Sequence, residues 1–250
     1  ILSSPLCSSA KVGLWEAFFT STSAITVTGL TIIDVGIDLN IFGQIFLAFM
    51  LLSGGLGLMA ITIFLQGFVV KGTQLRTRLD KGKTLDEFGV GGIGRTFQSI
   101  VITAICIISF GATILYFFGF LDIQNNWERL WSSIFHSISA YNNAGFSLWS
   151  NSLEDYRSNF IVNLVFIFLI VTGGLGWRVL DDIWSNKGNL SYRKLSLHSR
   201  LVLRTSFSLI IFGSLGLFVT ETLLNSQFFN DLNFFEKLLS SIFETFNANF

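Results

Sequence analysis

The stretch Ser23-Ala24-Ile25-Thr26-Val27-Thr28-Gly29-Leu30 is short, apolar and rich in hydroxyl groups, and it closes on a glycine. A second version, Ser139-Ala140-Tyr141-Asn142-Asn143-Ala144-Gly145-Phe146, lies 116 positions further along the chain. The same offset also relates the aromatic residues that precede the two stretches, Trp15 with Trp131 and Phe19 with Phe135. An internal repeat of this kind sets the architecture of a chain. We therefore expect repeated units, each built around one such stretch.

The composition is typical of a membrane protein. Of the 250 residues, 51% are hydrophobic and 13% are charged, and the mean hydropathy is +0.62. Soluble domains carry about 25% charged residues, so much of this surface must meet something other than water. The net charge is zero, which gives no reason to expect a nucleic-acid partner. The two cysteines, Cys7 and Cys106, lie far apart in the sequence, and we expect neither a disulfide nor a metal site from them.

Long apolar segments alternate with short ones. A helix needs about 20 apolar residues to cross a bilayer, and four segments meet this length: 41–70, 98–120, 160–180 and 201–220. The short helices predicted before Gly29 and Gly145 are too short to cross. We expect each to enter and leave the membrane on one side, as a re-entrant pore helix and loop over residues 13–30 and 130–146. A third short helix is predicted to begin in residues 238–250.

The predicted fold is an all-α integral membrane protein, made of repeated units of span, re-entrant pore helix with filter loop, and span. This arrangement resembles that of an ion channel of the potassium-channel type, and we expect the 250 residues to hold only part of it. We expect the end of a first unit, the whole of a second and the start of a third, in residues 1–70, 98–180 and 201–250. The connecting loops are residues 71–97 and 181–200.

The distribution of charge predicts the topology of these segments. Twelve of the sixteen Lys and Arg residues lie in residues 71–97 and 178–204. Positive charge accumulates in cytoplasmic loops, so these two segments are predicted to face the cytoplasm and the re-entrant loops to open outside. Eleven of the sixteen acidic residues lie outside the inner segments, and an acidic entrance attracts cations.

The two glycine-bearing stretches suit the binding of a dehydrated cation. Rings of backbone carbonyls replace the water shell of an ion in selectivity filters, and glycine adopts the unusual dihedrals that such a loop requires. The carbonyl end of the preceding short helix carries partial negative charge. Neither stretch contains a carboxylate, so selectivity would depend on carbonyl oxygens. The candidate ion ligands are Thr26, Val27, Thr28, Gly29, Asn142, Asn143, Ala144 and Gly145.

Several side chains have alternative interpretations. Thr26 and Thr28 can add hydroxyl ligands or brace the loop, and Asn142 and Asn143 fit bracing and lining equally. His136 fits a packed or hydrogen-bonded group better than a ligand. The Gly-Gly-Leu-Gly strings that begin at Gly54 and Gly173 fit close helix packing better than a gating hinge. Asp181 and Asp182 fit ion pairs at the inner face better than ion binding.

The sequence gives no indication of an enzyme or of a cofactor. It has no HExxH string, no Ser/His or Cys/His constellation and no intramembrane pair of carboxylates. Residues 89–94 spell GxGxxG, but a dinucleotide site also requires a preceding strand, which the sequence does not predict.

The chain resembles the Trk/Ktr/HKT superfamily of potassium transporters, most closely the Ktr-type membrane subunit of bacteria. The resemblance lies in the stretches SAITVTGL and SAYNNAGFSL and in the two second spans, each of which contains GGLG. The resemblance implies four units around one pore, with Gly29 and Gly145 as filter glycines. It also implies potassium uptake, with potassium as substrate and sodium as an activator. Two alternatives stay open. One is a sodium or less selective monovalent cation transporter. In the plant relatives serine at the first filter position goes with sodium preference, and Gly29 at that position in this chain is what the resemblance implies for a potassium filter. The other is a non-conducting membrane scaffold.

The same resemblance implies a multi-pass protein of the bacterial inner membrane, surrounded by lipid and assembled as a homodimer. It further implies a cytoplasmic ring of nucleotide-binding regulatory subunits, docked on the basic inner segments. The sequence departs from the family pattern in lacking the first span of the first unit and the fourth unit. It also has Asn249 where the family has Arg, and Arg178 where an uncharged residue is expected.

Overall fold

The computed structural model describes residues 2–9, 12–74, 90–157, 159–185 and 195–223. Within these ranges the regular secondary structure is helical, and one isolated bridge joins Ser8 to Leu39. The helices are α1 Leu14–Thr26, α2 Val35–Asp38, α3 Ile41–Gln74, α4 Val90–Ile114, α5 Asn126–Tyr141, α6 Phe160–Leu175, α7 Trp177–Ser185 and α8 Leu197–Leu223. The prediction of an all-α protein is confirmed for the described part of the chain. The predicted third short helix, 238–250, lies outside it, as do residues 75–89 and 186–194.

Several helices have the length and composition of membrane spans. Among the described residues, Phe97–Gly119 and Leu197–Thr220 are each long and apolar enough to cross a bilayer, and α6 together with α7 meets the same criterion as a bent pair. The outer surface of α8 is apolar, with Phe207, Leu209 and Phe212 exposed by 65%, 70% and 73%. A continuous exposed apolar surface of this kind suits contact with lipid.

Helices α3 and α6 begin in the same way. The side-chain oxygens of Asn40 and Asn159 each accept hydrogen bonds from the N–H groups two and three residues later, at 3.0 to 3.3 Å. One turn further on, the amides of Gln44 and Asn163 donate to backbone carbonyls of the preceding loop. Both pairs are 119 positions apart. A matched cap therefore fixes the start of each of these helices.

The two short helices α1 and α5 differ in how many of their residues are buried against the rest of the described chain. In α5, which packs against α4 and α6, nine of sixteen residues are buried. In α1, which packs against α3, four of thirteen are buried, and Trp15 is 83% exposed. The equivalent Trp131 is partly buried and donates its indole N–H to Oε1 of Gln44 at 2.7 Å. This hydrogen bond joins α5 to α3.

The two Gly-Gly-Leu-Gly strings behave differently. In α3 the string lies inside one helix that continues to Gln74. In the second unit α6 ends at Leu175, Gly176 has φ 79°, and α7 continues at an angle of 98°. The predicted span 160–180 therefore contains a sharp break. The first glycine of each string packs closely against a short helix, since a Cβ on Gly54 or Gly173 would overlap a backbone carbonyl oxygen there.

Candidate functional site

The backbone turns sharply where α1 ends. Val27 has a left-handed conformation with φ 56° and ψ 43°, and Gly29 has φ 80°. Between them Thr28 has a negative φ, and its N–H donates to the carbonyl of Ser23 at 3.0 Å. The sign of φ therefore alternates over three successive residues. Glycine tolerates such a conformation without cost, whereas a β-branched residue does not.

The end of α5 repeats this turn. Asn143 has φ 55° and Gly145 has φ 71°, and the N–H of Ala144 donates to the carbonyl of Ser139 at 2.9 Å. Each of these residues lies 116 positions after its counterpart in the first turn. The repeat found in the sequence is consequently also a repeat of backbone conformation.

The main-chain carbonyls of the two turns are the candidate ligands. The described residues donate no hydrogen bond to the main-chain oxygens of residues 26–29 or 142–145. The N–H groups of Thr28 and Ala144, in contrast, point back into their helices. The site therefore presents neutral oxygen atoms, which are the ligand type that hard monovalent cations prefer in filters.

Hydroxyl groups brace the first turn. Oγ1 of Thr26 donates to the carbonyl of Thr22 at 2.8 Å and lies 3.2 Å from Oγ1 of Thr28. Oγ1 of Thr28 also donates to Oγ of Ser23 at 3.0 Å. Of the two roles considered for these threonines, the hydrogen bonds favour bracing.

The second turn is braced from its helix. The side-chain amide of Asn142 donates to the carbonyl of Ile138 at 2.8 Å, which favours bracing over lining for this residue. Oγ of Ser139 donates to the carbonyl of Phe146 at 2.7 Å, and both residues are buried. Ser23 and Ser139 were not among the predicted site residues. Their shared place in the repeat was the signal that could have identified them.

His136 connects α5 to the segment that follows the second turn. It is fully buried, its Nδ1 lies 2.8 Å from the carbonyl of Ser132, and its Nε2 accepts from the N–H of Leu148 at 3.3 Å and lies 3.1 Å from Oγ of Ser147. The ring also stacks on Trp149 at 4.1 Å. The structure thus places His136 as a packed and hydrogen-bonded group, as the sequence favoured.

Comparison with known proteins supports a transporter. The model of the TrkH family, described as cation transport protein, matches residues 1–243. The chain is 34% identical over 245 residues to Ktr system potassium uptake protein B of Bacillus subtilis, and this match covers 98% of the chain and 54% of that protein. It is 30% identical over 225 residues to the protein of the same name from Vibrio alginolyticus, with 88% and 48% covered. It is 33% identical over 210 residues to potassium/sodium uptake protein NtpJ of Enterococcus hirae, with 82% and 45% covered.

These matches and the apolar helices define a membrane protein from a family of transporters, not of enzymes. The chain belongs to the TrkH family of cation transport proteins. The superfamily predicted from the repeated stretches is therefore confirmed, as is the membrane location. The chain spans about half the length of the relatives it matches, with 54%, 48% and 45% of them covered.

Proposed function

We propose that the chain is part of a potassium uptake protein, and that residues 26–29 and 142–145 form two segments of one selectivity filter. The observation that carries this proposal is the matched turn. Both segments alternate in the sign of φ, and their main-chain carbonyls accept no hydrogen bond from the described residues. Polar backbone groups inside proteins normally have partners. A potassium ion without its water shell supplies such a partner.

The helix ends support cation binding at the same place. α1 ends at Thr26 and α5 at Tyr141, directly before the two segments. The C-terminus of a helix carries the equivalent of about half a negative charge, and it is effective over the last turn. An ion at the turns is therefore stabilised by both helix ends, and neither segment contributes a carboxylate that would hold the ion too tightly.

We propose that α1 and α5 are re-entrant helices within repeated units of span, short helix and span. At a rise of 1.5 Å per residue they are about 20 and 24 Å long, shorter than the hydrocarbon core of about 30 Å. The matched caps of α3 and α6 support the same repeat. Irregular backbone at membrane depth is tolerated where it is covered by protein or lines a wet cavity.

Potassium is the proposed substrate, and sodium an activator. Two of the relatives are named for potassium uptake and one for potassium/sodium uptake. A sodium or less selective monovalent cation transporter is the alternative. We place the protein in the bacterial inner membrane as a homodimer. The Ktr relatives are named as parts of a system, which supports a regulatory partner. We propose a cytoplasmic ring of nucleotide-binding subunits at residues 71–97 and 181–200.

The test uses the full-length protein in a bacterial strain that lacks its own potassium uptake. We expect the wild type to restore growth at limiting potassium. Gly29→Val and Gly145→Val should abolish it, because a β-branched residue cannot easily adopt φ 80° or 71°. Gly216→Ala is the control, since a Cβ there meets nothing within 4 Å.

Purified protein in liposomes then separates transport from a scaffold role. A potassium-selective filter predicts flux of potassium above sodium in the wild type and a changed ratio in conservative variants of the two turns. Failure of the wild type to move either ion, in growth and in liposomes, would reject the proposed function.

A further inference from the structure

Two neighbouring glycines of α3 meet the starts of the two candidate filter segments, because Ile25 directly precedes residues 26–29 and Asn142 is the first of residues 142–145. A Cβ on Gly54 would overlap the carbonyl oxygen of Ile25 and lie 2.8 Å from its carbonyl carbon, at the end of α1. A Cβ on Gly55 would overlap Oδ1 of Asn142 and lie 2.8 Å from its Cγ, at the end of α5. Successive helical residues are separated by about 100° and a 1.5 Å rise. The two segments therefore contact α3 at the same level and on adjacent sides.

The contact at Gly54 has a counterpart in the second unit. A Cβ on Gly173 of α6 would overlap the carbonyl oxygen of Tyr141 and lie 2.8 Å from its carbonyl carbon. Tyr141 is the repeat equivalent of Ile25, 116 positions on. Each unit thus supports the end of its own short helix on the first glycine of its own second helix. The contact of Gly55 is different, because it reaches from the first unit to the second.

The Asn142 amide cannot simply swing away from α3. Its Nδ2 donates to the carbonyl of Ile138 at 2.8 Å, so a movement of the side chain would sacrifice this hydrogen bond. Rigid movement of α5 is opposed by the hydrogen bond between Trp131 and Gln44, which joins α5 to α3 at 2.7 Å. An added Cβ at Gly55 would consequently act on the turn that follows Asn142.

We propose that Gly55 is a positioning residue that sets the spacing between the two filter segments, 26–29 and 142–145. This inference rests on the proposed function. The absence of a side chain at Gly55 lets the Asn142 amide lie directly on α3, and the carbonyl of Ile25 lies against Gly54, one residue away on the same helix. Carbonyls from both segments are then held at one depth. A displaced Asn142 shifts one set of carbonyls relative to the other and changes which cation they fit.

A double-mutant cycle on the full-length protein in liposomes tests this role. The variants are Gly55→Ala, Asn142→Ala and the two combined, with the ratio of potassium to sodium flux as the readout. Gly57→Ala is the matched control, because it lies in the same string and a Cβ there meets nothing within 4 Å. Potassium affinity and membrane abundance are measured for every variant.

We expect Gly55→Ala to lower the flux ratio by about tenfold, since misplacing positioned groups by ~1 Å can cost up to about 10²-fold in rate. Gly57→Ala should leave the ratio unchanged. In the Asn142→Ala background, which lacks the overlapping amide, Gly55→Ala should have no further effect, so the double variant should match Asn142→Ala. Such non-additivity identifies a direct contact.

Three results would overturn the inference while leaving the proposed function intact. One is a wild-type flux ratio in Gly55→Ala. Another is an effect of Gly55→Ala that persists in full when Asn142 is Ala. The third applies if Gly55→Ala does not reach the membrane. The inference then fails if the double variant is also absent from the membrane while Asn142→Ala alone is found there. A wild-type protein that moves no potassium would reject the proposed function, and this inference with it.

Discussion

The indole N–H of Trp131 donates to Oε1 of Gln44 across 87 positions of sequence, at a distance of 2.7 Å. The same Gln44 amide donates through Nε2 to the carbonyls of Leu39 and Val35. One side chain therefore joins the start of α3, the segment before it and α5.

Replacement of Trp131 by Phe should loosen this junction. The variant keeps an aromatic ring but leaves Oε1 of the half-buried Gln44 without its donor, and the loss of one such hydrogen bond costs about 1 kcal/mol. We expect a lower melting temperature of the full-length protein in detergent. Trp127→Phe is the control, because Trp127 is on the same helix and 78% exposed. Equal melting temperatures for the two variants would contradict the role of the hydrogen bond.

Ser139→Ala should alter the second turn without touching its carbonyl-bearing residues. The hydroxyl donates to the buried carbonyl of Phe146, which directly follows Gly145. Loss of the donor destabilises this carbonyl by about 1–3 kcal/mol and frees the turn to shift. We expect a reduced ratio of potassium to sodium flux in liposomes. Ser150→Ala, at an exposed position after the turn, should keep the wild-type ratio. An unchanged ratio in Ser139→Ala would show that the hydroxyl does not shape the turn.

His136→Leu should destabilise the protein more than His136→Gln. Leucine fills the space but leaves the N–H of Leu148 without its acceptor, whereas the side-chain oxygen of glutamine can replace that acceptor. Each buried group left unpaired costs about 1–3 kcal/mol. The measurement is the melting temperature together with the amount of protein in the membrane. A larger loss in His136→Gln than in His136→Leu would mean that packing on Trp149 dominates.

Gly176→Ala should disturb the break between α6 and α7. Gly176 has φ 79° and ψ 151°, a region that is essentially restricted to glycine, and forcing another residue into it costs about 1–3 kcal/mol. We expect lower stability and lower flux. Gly174→Ala is the matched control, since its Cβ would meet only Nδ2 of Asn143 at an ordinary 3.6 Å. Wild-type behaviour of Gly176→Ala would show that the bend is not required.

The repeat in the sequence was sufficient to locate the two turns. A glycine at the same place in each repeat indicates a positive φ, and this conformation depends mainly on neighbouring residues. It also led to the family, which the comparisons confirm. The start of α5 was placed at residue 130, whereas the helix begins at Asn126. Its cap is Asn125, whose side chain accepts from the N–H of Trp127, and the charged residues that follow were taken as part of a loop.

Other features depend on contacts between distant residues and could not be predicted. The Gly-Gly-Leu-Gly string is spelled identically in both units, yet α3 continues through it and α6 stops at Leu175. Local sequence therefore does not decide between a packed helix and a break. The choice between bracing and lining for Asn142 likewise required the position of its amide beside Gly55 and Ile138.

Val27 and Asn143 hold the same left-handed conformation, with φ 56° and 55°, but not at the same cost. Asparagine tolerates this conformation, whereas for a β-branched residue it is an outlier. The first turn is thus held in shape by its surroundings, and the second is helped by its own residue type. In hydrogen–deuterium exchange the amide of Thr28 should therefore lose its proton before that of Ala144, and local unfolding of the protein on warming should begin beside α1.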